Sequence, residues 1–155
     1  MASYCNQNKD ILGEINIRNN FQYGDMGIVL SLHGRLYYQE YQFNHEFELY
    51  VAEGLVEFAR EYKEDKSSLW IAEVKDRAIG SLAILERPDQ QAQLRWFLIH
   101  PDYRGIGLGK CLVERAITFC RDAGYLSVYL WTLKNLITAK IIYSIRISKK
   151  FDTIN

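Results

Sequence analysis

Two prolines and three cysteines are all that this 155-residue chain contains of either type. The cysteines, Cys5, Cys111 and Cys120, are odd in number and stand at no metal-ligand spacing, which argues against a disulfide framework and against a zinc site. A reducing, cytoplasmic setting is the expectation. No window approaches the roughly 20 apolar residues of a membrane span, and the first residues, MASYCNQNKDILGE, lack the apolar stretch of a signal peptide. Net charge is also missing, because 19 Lys+Arg balance 19 Asp+Glu. No global field draws the chain to nucleic acid or to an anionic membrane, so neither partner is expected and any anion site must be local. Repeats and low-complexity tracts are absent as well. What is present is an ordinary globular composition, 48% hydrophobic and 25% charged, with eleven tyrosines. Its length predicts one domain over residues 1–155.

Residues 14–18 alternate polar and apolar, the period of a short half-buried strand. Asp25 is a candidate N-cap for a helix on which Ile28, Leu32, Arg35 and Leu36 recur at helical spacing. Asn44 can cap a second helix, with Phe47, Val51, Leu55, Phe58 and Tyr62 on one stripe. The other face of that helix is acidic and reads as a solvated surface rather than a docking site. Two β-rich runs, 68–74 and 77–86, flank Lys75-Asp76 and predict a hairpin. Residues 92–100 predict a central strand whose apolar run Trp96-Phe97-Leu98-Ile99 implies burial on both faces. A helix over 108–120 and a strand over 125–132 follow. Strand, helix and strand here have the length of a right-handed crossover, so the two strands should be parallel. Residues 136–144 are read as a last helix and 145–151 as a final strand. The fold class is therefore mixed α/β, a sheet with helices packed on it.

One segment carries chemistry. Between the central strand and its helix lies His100-Pro-Asp-Tyr-Arg-Gly-Ile-Gly-Leu-Gly-Lys110. Gly105, Gly107 and Gly109 bare the backbone where it turns into the helix, so N–H groups and the positive end of the helix dipole converge on one place. Arg104 and Lys110 add cationic side chains, and a phosphate or pyrophosphate is the ligand this arrangement invites. A dinucleotide fingerprint fails because the glycines alternate, and a P-loop fails because Lys110 is followed by Cys111. A glycine-rich turn without a ligand is the remaining bland reading.

The string Ile99-x-Pro101-x-x-Arg104-Gly105-x-Gly107-x-Gly109 resembles the acetyl-CoA-binding motif of the GCN5-related N-acetyltransferases (GNAT), and Ala139-x-x-x-Tyr143 resembles that family's A-x-x-x-Y. The early stretch GDMGIVLSLHGRLYYQEY looks like the acetyltransferase domain fused to MarR-type regulators, here without a DNA-binding part. The resemblance implies the acyl-CoA N-acyltransferase fold: a mixed, mostly antiparallel sheet with a central parallel, splayed strand pair flanked by helices, its C-terminal strands shortened. It implies acetyl-CoA as cosubstrate, without a metal, and a primary amine of a small molecule or peptide as acceptor. Arg104, Gly105, Ile106, Gly107, Leu108, Gly109 and Lys110 would form the pyrophosphate loop. Leu98 and Ile99 would offer backbone groups to the pantetheine arm, with an N–H near Leu98 on the developing oxyanion. Tyr143 would protonate the departing thiolate. The base is open between water, Glu73, Glu86 and Glu40, since the motif strand carries Gln93 and Arg95 where some relatives place a glutamate. His33, Tyr37, Tyr38 and Tyr41 occupy the region that lines the acceptor pocket in this family.

After Tyr143 the chain departs from the family pattern, because SIRISKKFDTIN has no glycine and room for one strand only. A frame change near the gene's end and a strand donated by a second subunit, as in a homodimer, both account for this. An enzyme is the leading expectation. A non-catalytic acyl-CoA-binding or interaction module with a degenerate C-terminus is the alternative.

Overall fold

The computed structural model describes the backbone of residues 14–134, 137–145 and 151–154, and the side chains of residues 14–130. In chain order its elements are β1 (Asn16–Arg18), α1 (Asp25–Tyr41), α2 (His45–Arg60), β2 (Ser68–Val74), β3 (Arg77–Arg87), β4 (Gln91–Ile99), a 3-10 turn (Pro101–Tyr103), α3 (Leu108–Asp122), β5 (Ser127–Lys134), β6 (Ile137–Ile145) and β7 (Phe151–Ile154). Among the described residues the strands form one seven-stranded sheet in sequence order, β1 to β7. Every neighbouring pair is antiparallel except β4 and β5, which are parallel as the crossover length requires.

Helices cover both faces. Leu108, Leu112, Ala116, Ile117 and Cys120 of α3 bury one stripe against Trp70, Leu82, Ile84 and Leu94 of the sheet. On the opposite face Val29 of α1 and Val51, Leu55 and Phe58 of α2 pack on Leu69, Ile71, Ala83, Leu85 and Trp96. The β2–β3 hairpin turns at Lys75 and Asp76, both in the left-handed region at φ 49° and 64°, the backbone of a two-residue hairpin turn. Asn44 caps α2 through its side chain, which accepts from Glu46 N–H at 3.0 Å. Asp25 makes no cap bond of its own: Gly24 is the N-cap of α1, and the buried Asp25 carboxylate accepts from Arg18 at 2.7 and 2.9 Å. Arg18 also reaches Glu73 at 2.7 Å, so one guanidinium ties β1 to β2 and to the start of α1.

Four expectations are corrected. Residues 136–144 are not a helix, because β6 runs over Ile137–Ile145 and pairs with β5 from Ser127↔Ser144 to Lys134↔Ile137. Five of its nine residues, Ile137, Thr138, Ile141, Ile142 and Ile145, are β-branched, and their strand preference outweighs the helical spacing of Ala139 and Tyr143. The final strand lies at Phe151–Ile154, and 146–150, which the sequence reading gave to it, fall outside the described residues. The apolar run of β4 is not buried on both faces either, since Phe97 is 38% exposed. Cys111 is disulfide-bonded, against the expectation drawn from the odd number of cysteines. Cys120 is a free, buried thiol whose pKa burial pushes up to about 12.

Candidate active site

The site begins with a defect in β4. Ser81 pairs with Leu98 but Ala83 pairs with Arg95, so β4 carries one residue more than β3 over this stretch. The extra residue makes a β-bulge at Trp96, which sits at φ 50° while its carbonyl accepts from the buried Ser81 hydroxyl at 2.6 Å. The bulge resets the alternation of faces. Arg95 and Trp96 both turn toward the α1–α2 layer, while Phe97 turns toward α3, where a Cβ on Gly109 would stand 3.2 Å from its ring. Beside the bulge the sheet opens, for β4 and β5 pair only from Gln91↔Ser127 to Leu94↔Leu130. From there on the two parallel strands have no ladder between them.

The glycine-rich segment closes the end of this opening. The 3-10 turn is capped by His100, whose Nδ1 accepts from Asp102 N–H at 3.1 Å. Gly105 and Gly107 then adopt φ 79° and 93°, a backbone that L side chains resist, and Gly107 is the N-cap of α3. The first intrahelical bond runs from Cys111 N–H to Gly107 O at 3.1 Å, so the N–H groups of Leu108 and Gly109 stand ahead of it at the positive end of the helix. Leu98, Ile99, Arg104, Gly105, Leu108 and Gly109 line one cleft of about 370 Å³, faced by Tyr37, Glu40 and Tyr41 from the end of α1. Lys110 lies on the adjoining surface with Phe97 and Val113. Ile106 and Gly107 belong to the same turn without lining the cleft.

Arg104 is already engaged. Its guanidinium donates to both carboxylate oxygens of Glu40, at 2.6 and 3.1 Å, and its Nε donates to Ile99 O at 2.9 Å. The bond to Glu40 raises the Arg104 pKa, so the side chain stays charged while pinning the turn to α1. Sequence reasoning offered Glu40 only as a candidate base and missed this partnership across 64 residues. The other candidate bases are also held by cations, Glu73 by Arg18 at 2.7 Å and Glu86 by Lys63 at 3.1 Å.

On α1 the tyrosines form a cluster rather than a row. Tyr37 lies 4.4 Å from Phe47 and 5.5 Å from Tyr41 between ring centroids, and its phenol is raised above the ordinary range by burial, then by Tyr41 and Glu40. His33, stacked on Tyr37 at 5.9 Å, is buried with Nδ1 at 2.8 Å from Val29 O. Burial lowers its pKa to about 4, helped by the charge of Arg95. Tyr38 is exposed. The backbone of Tyr143 pairs with Val128, which pairs with Ala92, six positions before Leu98 on β4. Its side chain lies outside the described residues. No group of three or more His, Cys, Asp or Glu positioned to hold a metal occurs among the described residues. No helix among them is long and apolar enough to cross a membrane.

Solved acetyltransferases share the fold that carries this cleft. A solved acetyltransferase from Streptococcus agalactiae superposes with a TM-score of 0.62 at 22% identity, covering 92% of each chain. The PaiA N-acetyltransferase from Thermoplasma acidophilum, solved in complex with coenzyme A, gives a TM-score of 0.60 at 16% identity over 77% of this chain and 80% of that one. In sequence, the acetyltransferase (GNAT) family pattern matches residues 31–143, and the chain belongs to that family. N-acetyltransferase 8B of Rattus norvegicus is 32% identical over 95 residues, covering 57% of this chain and 43% of that protein. This chain thus spans less than half the length of that relative.

Proposed function

We propose that the chain is an acetyl-CoA-dependent N-acetyltransferase that transfers an acetyl group to a primary amine of a small molecule or peptide by direct attack. The observation that carries this reading is the junction of the α3 start with the opening between β4 and β5. A thiol-terminated pantetheine arm fits along Leu98 and Ile99, and its pyrophosphate fits against Leu108 and Gly109 N–H groups. Gly105 and Gly107 hold the left-handed turn that keeps side chains out of that path. An amine lone pair adds to the thioester carbonyl carbon, backbone N–H near Leu98 stabilises the oxyanion, and the C–S bond breaks. The proton lost by the amine balances the one gained by the thiolate.

The role expected of Tyr143 is not carried into this proposal, because the β6 register sets its backbone apart from Leu98. The strand that replaces the expected helix is also what favours a second reading, a module that keeps acyl-CoA binding without turnover. Thiol release from acetyl-CoA, followed across a panel of amines, tests the proposal. Amine-dependent release supports the enzyme, and acetyl-CoA binding with no release for any amine supports the module.

A further inference from the structure

Three arginines at or beside the sheet have anionic partners among the described residues, and Arg95 does not. Arg18 holds Asp25 and Glu73, Arg87 holds Glu57 at 2.8 Å, and Arg104 holds Glu40. Arg95, half-buried on the central strand, has no hydrogen-bond or carboxylate partner among the described residues; its guanidinium contacts aromatic faces instead, 5.3 Å from the Tyr50 ring and 4.8 Å from the Trp96 ring. The space it occupies is shaped for it. A Cβ on Gly54 of α2 would stand 2.7 Å from both terminal nitrogens, so the absence of that carbon lets the fork lie flat against the helix. Arg95 is also the first residue of β4 beyond the last parallel pair, Leu94↔Leu130, and therefore stands where the sheet opens.

A second donor is close by. Trp96, whose ring Arg95 covers, is only 7% exposed and carries an indole Nε1–H with no hydrogen-bond partner among the described residues. Buried donors left without acceptors are costly and uncommon. A guanidinium fork that lies over two aromatic rings with no carboxylate partner among the described residues has the planar donor geometry that matches the two oxygens of a carboxylate.

We infer that Arg95, with Tyr50 and Trp96, forms a carboxylate subsite on the acceptor side of the opening. The acceptors of this protein are then amines that also bear a carboxylate, of the amino-acid type, rather than polyamines or other purely cationic amines. This deepens the proposed acetyltransferase function and rests on it for the identity of the reaction, though not for the existence of the subsite.

The test compares L-leucine, L-leucinamide and isoamylamine as acceptors for wild type, Arg95→Met, Arg95→Lys and Gly54→Ala. The ratio between wild type and variant cancels differences in amine basicity. Wild type should favour leucine. Arg95→Met should raise KM for leucine by about ten- to hundredfold, the worth of a charge-assisted hydrogen-bonded pair, with far less change for leucinamide. Arg95→Lys should restore part of the loss, and Gly54→Ala, which displaces the fork without removing charge, should reproduce it. In parallel, N-acetyl-L-leucine and N-acetyl-L-leucinamide are titrated into CoA-saturated protein. Binding of the acid alone, lost in Arg95→Met, supports the subsite even if no amine is acetylated, in which case the enzymatic reading fails and the subsite stands. Equal losses for leucine and leucinamide, or equal binding of acid and amide, overturn it. So does a fall in acetyl-CoA affinity in Arg95→Met with acceptor selectivity unchanged, which would assign the fork to a phosphate of the cosubstrate.

Discussion

Glu40 on α1 and Arg104 on the glycine-rich turn hold each other through two hydrogen bonds, at 2.6 and 3.1 Å. A cation expected to face a phosphate is thus spent on a carboxylate, and the anion site must draw on backbone N–H groups and the α3 dipole. Glu40 consequently places a negative charge on the wall of an anion cleft. Glu40→Gln should tighten acetyl-CoA binding by about two- to fivefold, more at low salt than at high salt, as Coulomb terms near a surface behave. Titration calorimetry at two ionic strengths reads this out, and weaker binding in the variant would show that the ion pair shapes the turn.

Gly107 should be the least replaceable glycine of the motif. At φ 93° it is both the N-cap of α3 and the pivot of the turn, so Gly107→Ala strains the backbone by about 1 kcal/mol and swings the following N–H groups. Acetyl-CoA affinity should fall by about tenfold or more while the circular dichroism spectrum is retained. Gly105→Ala, at φ 79° and with nothing of the protein within 4 Å of the Cβ it would add, leaves the N-cap of α3 in place and should weaken binding less.

His33 predicts a pH dependence of stability. Its pKa falls from the ordinary 6.5 to about 4 in the folded protein, because burial disfavours the imidazolium. Between those values the unfolded chain binds a proton that the folded one refuses, so stability declines as pH drops from about 6.5 to about 4, by about 3 kcal/mol in total. Urea unfolding followed by tryptophan fluorescence across this range should show the decline, and His33→Gln should flatten this part of the curve. An unchanged slope in the variant would assign it to other groups.

Tyr143→Phe should leave acetyl-CoA affinity unchanged and amine acetylation near the wild-type rate, because the β6 register sets the backbone of Tyr143 apart from Leu98. Steady-state kinetics decide this. A large fall in kcat with intact CoA binding would restore the proton-donor role and require a different path for the chain after β5.

Most of the fold was legible wherever one local signal dominated. The Asn44 cap, the α2 and α3 stripes and the β2–β3 hairpin each follow from spacing and turn chemistry in adjacent residues. The parallel β4–β5 pair followed from crossover length. At β6 two signals competed: the Ala139–Tyr143 spacing suggested a helix and the β-branched residues a strand, and pairing with β5 decided for the strand. The cleft was legible in part. Glycines 105, 107 and 109 announce the turn, but nothing near Arg104 in sequence announces Glu40, and nothing near Arg95 announces Gly54. The bulge at Trp96 depends on register against β3, which the sequence of β4 does not encode by itself.

Titration of the protein with acetyl-CoA, wild type beside Gly107→Ala, tests the central claim most directly, with NADH as the control ligand. Saturable binding of acetyl-CoA at one site per chain, lost or strongly weakened in the variant and absent for NADH, is the predicted result. No acetyl-CoA binding by a wild-type sample shown to be folded, or equal binding by the variant, would contradict the assignment of the glycine-lined cleft.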